Sequence, residues 1–335
     1  MIVPRIGASL REPILVVGGY GYRNVGDEAM LAGLLGAIGR DRRVSVISRE
    51  PAATSVLHRV RAVPIHRAAF ELARHRSVLI GGGGLFGRDM GTIGRLLPFF
   101  GVFASLLGRQ VAIHGIGVDE EMSPSARRAL HWLASRAVEV SVRDEASRDR
   151  MGGDPDRVSV RPDLSSWIAP AEPVAADSVL RDAGLDPTRP IIGLALTGLN
   201  EGLREPVLEA AASLVRGMPR TQFCFVAMSR HPTVATHDDL GFGMELQQRA
   251  PRLVVLGADL TPSMALAVFG RFSAAVCMRY HSLLFAARAG VPIAAIPYAP
   301  KCDAWLREAG IEPVTPSGVA LEAHLRKLLR RRRAA

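Results

Sequence analysis

Residues 14–38 read ILVVGGYGYRNVGDEAMLAGLLGAI. The apolar run Ile14–Gly18 has the length and β-branched content of a buried strand. The glycine-rich segment Gly18–Glu28 that follows must turn, and the spacing from Glu28 to Ile38 then predicts a helix. Strand, glycine turn and helix in that order form the opening half of a βαβ unit, the building block of parallel sheets.

The same rhythm continues outward. Val44–Ser48, Ser77–Ile80, Gln110–His114 and Val138–Arg143 read as further strands, with helices over Ile93–Leu107 and Ser125–Ala137. Prolines in RPDLSSWIAPAEP, Arg161–Pro173, break any regular element and mark a linker. Beyond it the strands Ile191–Leu196, Phe223–Met228, Leu253–Leu256, Ala274–Met278 and Ile293–Pro297 alternate with helices over Glu205–Arg216, Met244–Arg249, Ser263–Phe269 and Ser282–Ala289. The expected fold class is α/β, two Rossmann-like domains with parallel sheets, residues 1–170 and 171–335, facing a central cleft. Ligands of such sheets bind outside the carboxyl ends of the strands.

Composition narrows the class. With 335 residues, 48% hydrophobic and 22% charged, the chain can bury two cores, and it is neither disordered nor a disulfide scaffold. The apolar stretch Leu96–Gly108 is shorter than the ~20 residues of a membrane span, and reads as a buried or surface-lying helix. The start lacks a continuous apolar signal segment, and the expected location is the cytoplasm. Cys224, Cys277 and Cys302 have no CxxC spacing, so they predict neither disulfides nor zinc, but half-buried thiols. The net charge of +10 is carried by arginine, since only Lys301 and Lys327 of the 42 basic residues are lysines. The tail Arg326–Arg333 reads as a solvated helix end, with anionic lipid or nucleic acid as the alternative contact.

Five segments fall just after strands: GGYGYRNVGDE, GGGGLFGRD, the RDE of residues 143–145, RYHS of 279–282 and PYAPK of 297–301. The first is neither the dinucleotide fingerprint, its spacing being GxGxxxxG, nor a P-loop, where Asp27 would stand in place of the phosphate-gripping lysine. Asp27 is then either a helix-start carboxylate or one aimed at a sugar hydroxyl, and both readings stay open. Four glycines at Gly81–Gly84 exceed what a turn needs, and allow close approach of a ligand or of the opposite domain to the backbone. Arg143, followed by Asp144 and Glu145, reads by default as part of a helix-capping salt bridge, raised in interest by its strand-end position. Arg279, His281 and Lys301 form the sharpest group: arginine for a planar anion, lysine as a point charge and histidine as proton donor suit a small, doubly anionic substrate. His231, His237 and Asp238 match no metal spacing and are expected in a loop over the cleft, near the acceptor.

At these residues the chain resembles the polysaccharide pyruvyl transferase family, through GYGYRNVGDEAML, GGGGLF, SVRDEAS and CMRYHSLLFAARAGVPIAAIPYAPKCDAWLREAGI. The resemblance implies a GT-B-like fold and transfer of pyruvyl from phosphoenolpyruvate to two hydroxyls of one sugar, giving a cyclic ketal and phosphate. It implies that Arg143, Arg279 and Lys301 hold phosphoenolpyruvate, that His281 is the general acid, and that Asp27 acts on the acceptor. Gly82, Gly83 and Asn24 complete the substrate-binding set. Tyr280 stands where family members often carry Leu, and the glycine run is one residue longer than usual. No cofactor is implied beyond phosphoenolpyruvate as co-substrate, and no metal. The expected partner is a nucleotide- or lipid-linked sugar, not nucleic acid, and peripheral association at the inner face of the membrane is compatible with it; the oligomeric state stays open. The rivals are a GT-B glycosyltransferase using a nucleotide sugar, and a non-catalytic basic protein, for which 5% aromatics provide little base-stacking surface.

Overall fold

A computed structural model describes residues 5–86, 91–120, 122–152, 155–257 and 259–334. The chain forms two compact α/β units that part between Ile168 and Ala169, except that the four residues Arg23–Gly26 pack within the second unit.

The first unit begins with β1 (Ile14–Val17), α1 (Val25–Ile38), β2 (Val44–Ser48), α2 (Pro51–His58) and β3 (Arg61–Pro64). Next come α3 (Ala68–Arg74), β4 (Ser77–Phe86), α4 (Gly91–Leu106), β5 (Gln110–Val118), α5 (Pro124–Arg136), β6 (Glu139–Val142), α6 (Glu145–Met151) and β7 (Val158–Val160). Its seven strands lie in the order β3-β2-β1-β4-β5-β6-β7, and their pairings are parallel. Such a sheet is buried on both faces, which is why ILVV of β1 is continuously apolar and continuously buried. One face packs on Leu72, Leu97, Ala104, Leu130 and Leu133 of α3, α4 and α5. The other packs on Met30, Leu31, Leu34 and Leu35 of α1, together with Leu164.

The second unit continues with α7 (Pro173–Asp182), β8 (Ile191–Ala195), α8 (Glu201–Gly217), β9 (Gln222–Phe225), α9 (Asp239–Arg249) and β10 (Leu253–Val255). It ends with α10 (Pro262–Phe269), β11 (Ala274–Cys277), α11 (Tyr280–Arg288), β12 (Ile293–Ala295), α12 (Pro300–Glu308) and α13 (Gly318–Ala334). Its parallel sheet runs β10-β9-β8-β11-β12. Side-chain caps define the helix starts: Asn200 accepts from the Leu203 amide, Thr261 from Met264 and Asp238 from Leu240.

Strand order reverses at one place in each sheet, between β1 and β4 in the first and between β8 and β11 in the second. Loops leaving the strands there diverge to opposite faces and open a crevice for ligands. The glycine-rich segments follow β1 and occupy β4; Arg279 and His281 follow β11.

Three sequence expectations are corrected. The glycines after Ile80 do not leave the sheet, because β4 runs on to Phe86 and keeps its register with β5 through Gly83↔Ile116, with the irregularity falling between Gly83 and Phe86. α1 starts at Val25, so Asp27 and Glu28 lie inside its first turn. The three cysteines are fully buried, not half-buried, and burial pushes the Cys277 thiol up to about 12 and Cys302 to about 11. Gly87, Arg88 and Asp89 of the glycine motif lie outside the described residues.

Candidate active site

In the first unit the switch point is built around Tyr20. Its ring is fully buried and its hydroxyl donates to the Gly81 carbonyl. Burial, reinforced by the Asp27 and Glu28 carboxylates, pushes the phenol well above its usual range. Gly82 and Gly83 have left-handed φ of 75° and 102°, which glycine adopts without strain. Space is short there as well. A Cβ on Gly82 would stand 3.0 Å from the Tyr20 hydroxyl oxygen, and one on Gly83 would stand 3.2 Å from Asp27 Oδ1. Asp27, Gly82 and Gly83 are thus brought together.

The neighbouring carboxylate has another task. Glu28 accepts from the Gly21 amide at 2.8 Å and meets His58 Nε2 at 2.6 Å, which ties the glycine loop to α1 and α2. Arg143 follows β6, with β5 between it and β4. Its side chain is 4% exposed and lies along Gly117, where a Cβ would meet Nη2 at 2.5 Å. Nε pairs with Asp144 at 3.2 Å, and the other Asp144 oxygen caps α6 through the Ser147 amide.

In the second unit Arg279 directs Nε and Nη2 onto the two oxygens of Asp239, at 2.5 and 2.7 Å. This is a charge-assisted fork between two buried groups. Asp239 also accepts from the Ser229 amide at 3.0 Å and from the Thr197 hydroxyl. Burial raises its carboxyl above the ordinary 3.8, while the Arg279 charge and these hydrogen bonds pull it down. Thr197 follows β8, Ser229 follows β9 and Arg279 follows β11, so the fork ties together three strand ends at the switch point.

His281 is the second residue of α11 and stands edge-on to Tyr280, ring centroids 5.5 Å apart. Gly26 lies directly against it: a Cβ there would sit 2.0 Å from His281 Nδ1. Gly26 belongs to the segment that packs in this unit. Val25 N–H donates to Met228 O at 2.9 Å, Arg230 N–H to Arg23 O at 3.0 Å, and Asn24 bridges Ser229 antiparallel. Asn24 Oδ1 accepts from the Gly26 amide at 2.9 Å, capping α1. Asn24 and His281 therefore meet through one glycine. Lys301, half-buried, is the second residue of α12, after β12, whose Ala295 pairs with Cys277 of β11. Cys302 Sγ reaches Met278 O at 3.5 Å and fastens α12 to the end of β11.

His231, His237 and Asp238 form a local turn. His231 Nδ1 accepts from the Thr233 and Val234 amides, its ring meets His237 edge-on at 5.6 Å, and Asp238 caps α9. The carboxylate that pairs with Arg279 belongs to the next residue, Asp239. Asp239 was legible only from the principle that an arginine buried at a strand end requires a carboxylate.

The family model for polysaccharide pyruvyl transferase matches residues 24–300. The chain belongs to that family. It is an enzyme family, and the match begins at Asn24, takes in Asp27, Gly82, Gly83, Arg143, Arg279 and His281, and ends one residue before Lys301. Among curated proteins none matches. Solved structures with the same fold include UDP-GlcNAc 2-epimerase from Neisseria meningitidis bound to UDP-GlcNAc (10% identity, TM-score 0.66, 95% of this chain and 91% of that one). Two others are ADP-heptose LPS heptosyltransferase II from E. coli (14%, 0.55, 96% and 99%) and sucrose-phosphate synthase from Thermosynechococcus elongatus (14%, 0.53, 96% and 90%). Similarity at this level shows the fold, two Rossmann-like domains of GT-B type. Among the described residues no helix is long and apolar enough to cross a membrane.

Proposed function

We propose that this polysaccharide pyruvyl transferase moves the pyruvyl group of phosphoenolpyruvate onto two hydroxyls of one sugar, in a cell-surface polysaccharide or its activated cytoplasmic precursor. The observation that carries the reading is the grouping on one sheet edge. Arg279 and His281 follow β11, Lys301 follows the adjacent β12, and Asp239 holds the Arg279 fork in a fixed orientation.

The His281 imidazolium gives its proton to C3 of phosphoenolpyruvate, an imidazole being suited to acid chemistry near neutral pH. C2 becomes electrophilic, an acceptor hydroxyl adds there, and its proton passes to a carboxylate, the role assigned to Asp27. The C2–O bond to phosphate breaks, phosphate leaves, and the second hydroxyl closes the ketal as its proton passes to the His281 imidazole, which restores the acid. Arg279 and Lys301 hold the carboxylate and phosphate of the donor as charge shifts onto the leaving group, a task for cations that do not need to reorganise. In the first unit Arg143 offers a further cation, while Gly82 and Gly83 let the backbone of β4 pack close against Tyr20 and Asp27 and so seat the carboxylate that acts on the acceptor. Asn24 acts on the same reading through the segment that seats His281. The chemistry requires no redox cofactor.

Incubation with phosphoenolpyruvate and a panel of nucleotide- and lipid-linked sugars tests the proposal by phosphate release. Release that requires both donor and acceptor, and that is lost in His281→Ala and Arg279→Ala, is expected. Turnover retained in His281→Ala contradicts the assigned role; nucleoside diphosphate release from a nucleotide sugar without phosphoenolpyruvate replaces the reading by glycosyl transfer.

A further inference from the structure

We propose that the first unit docks on an anionic lipid bilayer through the outer face of α4 and the arginines beside it. The inference is independent of the donor chemistry. Leu96, Phe99, Phe103, Leu106 and Leu107 are each between 42% and 70% exposed. At 3.6 residues per turn they fall within an arc of about 100°. The opposite side of the helix is core: Leu97 and Ala104 are buried, and Gly101 abuts Leu133 and Ile80. A soluble surface seldom carries so many large apolar groups on one stripe without a partner.

The charge around the stripe names the partner. Residues 51–118 contain eight arginines and two acidic residues. Of the two, Glu71 is buried beneath Arg61, and Asp89 lies outside the described residues. More than half of the net charge of +10 therefore sits on this fifth of the chain. Arg95 borders the stripe, and Arg109 at its far end reaches the Ala73 carbonyl of α3. On α3 the exposed Phe70 carries the Arg74 guanidinium 4.3 Å above its ring. Arg74 in turn lines a cavity of about 560 Å³ together with Arg40, Arg43 and Arg59. Apolar side chains flanked by arginines are the composition of a surface that lies in a bilayer interface, where rings and aliphatic groups enter the acyl boundary and cations meet lipid phosphates. A second copy fits less well. A two-fold contact would set the same patch against itself, and with it arginine rim against arginine rim.

Co-sedimentation of the full chain with phosphatidylcholine vesicles, with and without phosphatidylglycerol, tests the proposal. Binding that requires phosphatidylglycerol and weakens with added salt is expected. Phe99→Ser/Phe103→Ser lowers it about tenfold or more, and Arg74→Gln/Arg95→Gln weakens it at unchanged melting temperature. Removal of residues 326–335 leaves it in place, which separates this face from the basic tail. No binding to phosphatidylglycerol vesicles, undiminished binding in both double variants, or a dimer in sedimentation equilibrium that Phe99→Ser/Phe103→Ser splits, overturns the proposal.

Discussion

Removing the Asp239 carboxylate isolates the fork. In Asp239→Ala the Arg279 guanidinium stays buried with Nε and Nη2 stripped of both acceptors, and the Ser229 amide loses its partner as well. Breaking one side of a buried ion pair costs about 3–5 kcal/mol, a fall in melting temperature on the order of 10 °C for a unit of this size. Arg279→Met costs less, because a lone buried carboxyl can take up a proton whereas a guanidinium cannot lose one. Burial raises the Asp239 carboxyl, so the stability of Arg279→Met is greatest at low pH and is lost as pH rises through that raised value. Asp239→Leu/Arg279→Met removes both charges and recovers stability to within about 2 kcal/mol of wild type, the remainder being the Ser229 amide and Thr197 hydroxyl left without the carboxylate. All three variants lose phosphoenolpyruvate-dependent turnover, Asp239→Ala because Arg279 is no longer held in orientation and the other two because the guanidinium itself is gone. Calorimetry with kcat/KM measurement checks the set. If Asp239→Ala melts within a degree or so of wild type, or the double variant is no more stable than Asp239→Ala, the buried pair does not have the role assigned to it.

Three further outcomes are expected. Gly26→Ala forces the His281 ring aside and lowers kcat about a hundredfold, whereas Gly36→Ala on the exposed side of the same helix, where nothing stands within 4 Å, raises stability by about 0.5–1 kcal/mol. Glu139 accepts from His114, the Ser9 hydroxyl and the Gly7 amide, which hold its carboxyl far below the ordinary 4.5; its contribution is full above that value and lost as pH falls, so Glu139→Gln flattens the acid limb of a melting-temperature profile. The three thiols, buried and raised in pKa, stay unreactive to Ellman's reagent at pH 8 in the native protein and react together in denaturant.

Much of the fold was legible because buried parallel strands are rich in apolar and β-branched residues: Ile14–Val17, Val44–Ser48 and Ile191–Ala195 stand in the structure where the sequence marks them, within a residue. β3 and β7 escaped notice, being short edge strands of half-exposed residues, RAVP and VSV. β4 was read short because glycine weakens any strand pattern, and only the packing of Tyr20 and Met30 reveals why Gly82 and Gly83 remain in the sheet. Position after a strand pointed to Arg279, His281 and Lys301, since strand order makes that edge special. Asp239, forty residues from Arg279, and Gly26, 255 residues from His281, take their meaning from contacts no local pattern encodes. The apolar helix at Leu96–Gly108 was visible as a run, but its exposed face depends on which side meets Leu133.

The central claim is proton transfer to C3 of phosphoenolpyruvate followed by ketal formation. Turnover in deuterium oxide with phosphoenolpyruvate and a sugar acceptor, followed by mass spectrometry of the product, tests it most directly. The account predicts an acceptor heavier by pyruvate less water, its new methyl group carrying one solvent deuterium, and no such product from His281→Ala. Phosphate release without a deuterated ketal methyl, or the labelled ketal at wild-type rate from His281→Ala, would contradict it.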